Sequence, residues 1–112
     1  FPTRRSSDLI DLHIDVGYPM VYNNEALDEV ARATAAQFIG KDNVLETEVR
    51  LGAEDFGYYT RQIPGCFYRL GVMNVEKGIT SGVHTPTFNI DESAIGIGVG
   101  MMAWLGSQVQ FG

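Results

Sequence analysis

The string Gly78-Ile79-Thr80-Ser81-Gly82-Val83-His84-Thr85-Pro86-Thr87-Phe88 puts one of the chain's two histidines in a long late loop. An imidazole is both a common metal ligand and a general base near neutral pH. Pro86 stiffens the following turn and pushes Thr85 toward an extended conformation, while Gly82 allows a tight backbone approach. A rigid loop holding one imidazole is what a metal site needs, because ligand geometry has to be fixed in advance. Taken alone, a loop histidine is more often simply solvated or hydrogen-bonded.

The second chemically suggestive string is Leu51-Gly52-Ala53-Glu54-Asp55-Phe56. It falls at an expected strand-to-helix junction, the edge where open α/β sheets place ligands. Gly52 permits the turn there. Glu54 and Asp55 fall in the first helical turn, where the macrodipole favours negative charge. Gly52, Glu54 and Asp55 are therefore candidates for contacting the polar end of a substrate or for orienting a metal ligand, with simple dipole stabilisation as the plainer explanation. Other groups carry less. His13 alternates on a strand face and is expected to be exposed. Cys66 opens an apolar stretch and has no basic neighbour in sequence, which points to an inert core thiol. Arg50 and Arg69 could each grip a carboxylate bidentately, although a surface position is the default for both. Phe56, Tyr58 and Tyr59 read as packing.

The elements that must position these residues follow from periodicity. Ile10–Val16 alternates apolar and polar residues, the pattern of a half-buried strand, and Gly17-Tyr18-Pro19 ends it. Asn23 or Asn24 can cap a helix whose stripe is Leu27, Val30, Ala31, Thr34 and Phe38, and Gly40 closes it. Val44–Leu51 reads as a strand, Ala53–Ile63 as a helix and Cys66–Leu70 as a short buried strand. Residues 71–89 show no clear period, and a connection of that length is usually functional or disordered. Asp91 can cap a last helix, Glu92 to about Gly106, which is apolar nearly all round and so expected to be buried. Gly96, Gly98 and Gly100 each cost that helix about 1 kcal/mol relative to alanine, and close packing against a sheet would account for them. The alternation of strands and helices predicts an α/β layer with parallel strands.

Composition sets the outer bounds. The 112 residues, 45% apolar and 20% charged, suit one small domain or a piece of a larger one. The formal net charge of −6 argues against a nucleic-acid partner. A single cysteine excludes an internal disulfide and fits a cytoplasmic location. No apolar run approaches a bilayer span, no membrane partner is expected, and the N-terminus shows no signal-peptide pattern. Residues 1–9, FPTRRSSDL, lead into nothing that follows. They look like the translated end of a common sequencing-library adapter, a non-native segment to be set aside from fold reasoning. On that reading the natural protein continues upstream.

From about Ile10 to Leu105 the chain resembles the C-terminal third of the M20 metallopeptidases, in particular their amidohydrolase branch of N-acyl-amino-acid amidohydrolases, hippurate hydrolases and auxin-conjugate hydrolases. Gly17-Tyr18-Pro19, Leu51 to Phe56, Pro64-Gly65-Cys66-Phe67-Tyr68-Arg69-Leu70-Gly71, Val83 to Phe88 and Ile90-Asp91-Glu92 carry the resemblance, in order and at fitting spacing. It implies a three-layer αβα catalytic domain over residues 19–112, preceded at 10–18 by the last strand of an α+β lid and the crossover back. It implies two divalent cations, zinc or manganese, with His84 as the final metal ligand and Gly52, Glu54 and Asp55 in supporting or substrate-facing roles. It further implies a small amide substrate, metal-assisted hydrolysis with a general-base glutamate lying upstream, and a homodimer of the full-length protein. The other metal ligands belong to that upstream part, so the 112-residue chain alone is expected to be inactive. A peptidase acting on short peptides and a non-catalytic module in which the motifs survive only as packing are the alternatives.

Overall fold

The computed structural model describes residues 11–109. The foreign-segment reading of residues 1–9, and Ile10 at the head of the first expected strand, lie outside the described residues. Three helices form: α1 over Glu25–Ile39, α2 over Phe56–Thr60 and α3 over Ser93–Gln108, with a 3₁₀ turn at Lys41–Asn43 after α1.

The start of α1 is set by two asparagines with separate tasks. The Asn24 side-chain oxygen accepts from the Leu27 amide at 3.1 Å, satisfying one of the free first-turn donors. Asn23 instead faces across the molecule. Its Nδ2 donates to the Phe67 carbonyl at 3.0 Å and its Oδ1 accepts from the Phe67 amide at 2.8 Å. The neighbouring Asn24 amide donates to the Gly65 carbonyl at 2.9 Å, so residues 65–67 are stitched to the head of the helix. At the other end Gly40 adopts φ +86° and donates its amide to Ala36 O at 3.0 Å, closing α1 as its position predicts.

α3 packs against α1. Its glycines explain how closely. A Cβ at Gly100 would lie 2.6 Å from Phe38 Cζ, and one at Gly98 would lie 2.9 Å from Leu70 Cδ2. The close approach expected of these glycines is real at those two positions, but the neighbours are a ring of α1 and the end of residues 66–70 rather than a sheet face. Gly96 meets nothing within 4 Å.

The strands expected at Ile10–Val16, Val44–Leu51 and Cys66–Leu70 do not form among the described residues, where the only β pairing is an isolated antiparallel bridge between Asn74 and Ile79. A strand is defined by ladder bonds to a neighbour, and these segments have no neighbour to bond: Phe67 spends its backbone donor and acceptor on the Asn23 amide. The helix expected over Ala53–Ile63 is limited to the five residues of α2, bounded by Asp55 and Arg61. α3 starts one residue later than expected and runs two further.

The expectation that α3 is buried is overturned. Only Ala94 and Met101 are buried, while Val99 is 67% and Met102 64% exposed. The segment before α2 behaves alike, with Val49 91% and Leu51 101% exposed. The total accessible surface is 9983 Å², against about 6,100 Å² for a folded monomer of this size. Apolar patterning of the kind that fills a covered layer is present, but among the described residues nothing covers it. No helix of the described residues is long and apolar enough to cross a membrane.

Candidate functional site

His84 lies at the outer end of residues 72–91, exposed, with φ +63°. It is the only non-glycine residue with positive φ among those described. Left-handed backbone costs an L-residue about 1–2 kcal/mol, so this conformation is held by its surroundings. The glycine expected to permit close backbone approach, Gly82, has no such φ, and a Cβ there would meet nothing. The chain reverses on the histidine itself. Around it, the Ser81 and Thr87 hydroxyls meet at 2.7 Å, the Thr85 hydroxyl donates to Gly82 O at 2.7 Å, and the Phe88 amide donates to Thr85 O at 3.2 Å.

The base of this loop is closed by contacts that the sequence did not reveal. The Asp91 amide donates to Val72 O at 2.9 Å. Asn74 and Ile79 exchange reciprocal backbone bonds of 2.9 Å around a turn that uses Gly78 at φ +71°. The Asp91 carboxylate accepts from Asn74 Nδ2 at 2.6 Å, Lys77 Nζ at 3.3 Å, Ser93 N at 3.1 Å and Ser93 Oγ at 2.8 Å. Asp91 thus caps α3, as its position predicted, and holds the loop at the same time. The available sequence signal was the Glu76-Lys77-Gly78 turn chemistry; the pairing of Asn74 with a carboxylate seventeen residues on left no local trace.

These donors, the Asn74 amide foremost and then Ser93, hold the Asp91 carboxyl well below the usual carboxylate range. A carboxylate depressed in the folded state contributes stability above its unfolded value, near pH 4, and that contribution is lost as pH falls through the lower folded value. Acid titration of the complete protein, followed by urea midpoints, is therefore expected to show a fall below about pH 4 that the Asp91→Asn variant largely lacks. An unchanged acid limb in that variant would contradict it.

The second candidate group divides. Glu54 is half-buried, and its Oε1 accepts from the Phe56 amide at 3.3 Å, so this carboxylate serves the start of α2. Asp55 precedes α2 with its side chain exposed and makes no capping bond. Gly52 has neither positive φ nor a neighbour within 4 Å of a Cβ, so among the described residues the turn does not require glycine there. No hydrogen bond or ion pair among the described residues joins Gly52, Glu54 or Asp55 to His84. The glycine that is required is Gly57, buried under Pro19 and Met20, where a Cβ would stand 2.5 Å from Pro19 O.

The remaining candidates are readily placed. His13 is exposed, its Nε2 3.0 Å from Asp15 Oδ1. Arg50 is exposed, and Arg69 lies over the Phe67 ring at 6.0 Å. Cys66 is half-buried with Sγ 3.7 Å from Asp28 Oδ1, a carboxylate also paired with Arg32. Burial, then the Asp28 charge, pushes the thiol's pKa up, which suits a protonated structural thiol better than a nucleophile. Phe56 packs against Phe67 and Tyr59, with ring centroids 5.4 and 5.9 Å apart, whereas Tyr58 and Tyr59 remain exposed.

His84 suits one ligand position: its ring nitrogens carry no hydrogen bond among the described residues and the ring is accessible. A whole metal centre is another matter, since no group of three or more His, Cys, Asp or Glu side chains among the described residues could hold an ion.

The sequence model of the family described as peptidase family M20/M25/M40 matches residues 8–105. The chain is 33% identical over 86 residues to an IAA-amino acid hydrolase ILR1-like 6 from Arabidopsis thaliana, covering 77% of this chain and 18% of that protein. It is 37% identical over 82 residues to thermostable carboxypeptidase 2 from Saccharolobus solfataricus, covering 72% and 20%. It is 33% identical over 79 residues to the putative amidohydrolase YhaA from Bacillus subtilis, covering 70% and 20%. The chain thus spans a fifth or less of these curated relatives. No solved structure matches it.

Proposed function

The chain belongs to peptidase family M20/M25/M40, and from that premise we propose that it is the part of a metal-dependent amidohydrolase that brings His84 to the hydrolytic centre. The observation that carries this reading is the accessible imidazole held in left-handed backbone within the family-matching segment. His84 would hold one divalent cation, zinc or manganese. Such ions supply Lewis acidity and a nucleophilic water near neutral pH. The other ligands and the general base belong to the rest of the protein. The substrate class is the amide bond of N-acyl amino acids or similar conjugates, with Asp55, exposed beside α2, the better placed of the two carboxylates to face it.

In this reading residues 19–112 belong to a three-layer αβα catalytic domain and residues 10–18 to the end of a lid, with homodimerisation of the complete protein. The uncovered apolar surfaces of α3 and of residues 45–51 support it, because a central sheet and its second helical layer would cover such surfaces. A peptidase acting on short peptides is the second reading, favoured by the similarity to a carboxypeptidase.

The 112-residue chain alone, titrated with Zn²⁺ or Mn²⁺ and offered N-acyl amino acids, is expected to bind metal weakly and release no product. Clear turnover by it would remove the proposed division of labour. The complete gene product is expected to hydrolyse N-acyl amino acids; cleavage of dipeptides in their place would favour the second reading.

A further inference from the structure

We propose that Asp91 is a positioning residue for His84: acting through Asn74 and Lys77, it latches residues 72–91 shut and so fixes where the imidazole is presented. The proposal rests on the reading of His84 given above.

Three closures lie in series along the loop. Its two ends are joined by the Asp91 amide to Val72 O bond at 2.9 Å. Above that, the turn bridged by Asn74 and Ile79 is pulled onto the Asp91 carboxylate by the Asn74 amide at 2.6 Å and the Lys77 ammonium at 3.3 Å. Beyond it the Ser81–Thr87 hydroxyl pair spans the segment that has His84 at its middle. The carboxylate contacts are charge-assisted and so the strongest of the set. The same carboxylate bonds Ser93 at the head of α3, which ties the loop to a sixteen-residue helix rather than to another loop. Functional side chains are held accurately when their supports stand on such rigid elements. The left-handed backbone at His84 needs a restraint of this kind to persist.

Helix capping alone is the competing explanation for Asp91, and Asn74 separates the two, because it bonds the carboxylate and makes no hydrogen bond to α3 among the described residues. Asp91→Ala, Asn74→Ala and Ser93→Ala are compared in the complete protein. Loss of the latch is expected to lower kcat by about 10- to 100-fold in Asp91→Ala and Asn74→Ala, the range for residues that orient a ligand, with KM little changed. The double variant should be little slower than Asp91→Ala, since the Asn74–Asp91 contact is lost in both single variants. Amide hydrogen exchange across residues 82–88 should accelerate in both. Ser93→Ala, which removes one hydroxyl bond and leaves the backbone-amide cap and the Asn74 and Lys77 contacts in place, should change kcat and this exchange far less than Asn74→Ala does.

If Asp91→Ala does not fold, Asn74→Ala carries the same test. An Asn74→Ala protein with unaltered kcat and exchange overturns the latch, as does a Ser93→Ala protein as slow as Asp91→Ala. Full activity of a His84→Ala control overturns the reading of His84 and the latch together. Loss of activity in that control beside an unaffected Asn74→Ala overturns the latch alone.

Discussion

Replacing His84 by glycine in the complete protein is expected to reduce hydrolysis by at least about 100-fold while leaving the thermal stability of the metal-free protein unchanged or slightly raised. The first half follows from the proposed ligand role: residues that merely orient a metal ligand are worth 10- to 100-fold, and the ligand itself should exceed them. The second half follows from the backbone. His84 sits at φ +63°, where a Cβ costs about 1–2 kcal/mol. Glycine removes that strain, offset by the greater freedom it gives the unfolded chain. Because the ring is exposed, little packing is lost. Most substitutions that abolish activity in a buried site also destabilise it; here the two effects should separate. Steady-state kinetics, bound-metal analysis and a melting curve on the one variant check both. A His84→Gly protein of normal activity would remove the residue from the proposed centre, and one that unfolds early would show that the ring has a packing role absent from this structure.

Gly57→Ala is expected to destabilise the complete protein by about 3 kcal/mol, the upper end of the range for overpacking. A Cβ there would lie 2.5 Å from Pro19 O, 3.0 Å from Met20 O and 3.2 Å from Met20 C. All three are backbone atoms, so no side-chain rotation relieves the clash, and either α2 or residues 19–20 must move. By contrast, Gly52→Ala, where a Cβ meets nothing and φ is not positive, should shift the urea midpoint negligibly. The pair inverts what the sequence suggests, since Gly52 belongs to the recognisable motif and Gly57 lies outside it. Equal midpoints for the two variants would contradict the packing described around α2.

What local chemistry determines was legible in the chain. The cap at Asn24, the closure at Gly40 and the cap at Asp91 each depend on residues within four positions of one another, and each appears where the pattern places it; α3 forms within two residues of its expected ends. Strands depend on partners, and alternation at Asp11–Val16 or an apolar run at Val44–Leu51 specifies a face without supplying a neighbour. The apolar girth of α3 is a matter of composition and does not fix its burial, because burial depends on what else is present. The site divides likewise. His84 stood out by residue type and loop context. Its left-handed backbone, and the Asn74–Asp91 contact beneath it, arise from tertiary closure. Glu54 belongs to the motif, yet its carboxylate serves the start of α2.

The twin bonds between Asn23 and Phe67 carry a directional consequence. In an extended chain the N–H and C=O of one residue point to the same side, and those of its neighbours point to the other. With the Gly65 carbonyl and both Phe67 groups taken by Asn24 and Asn23, that flank of residues 65–67 is blunted against pairing with a stray chain. A companion strand in the complete protein would find the backbone of Cys66, Tyr68 and Leu70 the more open side.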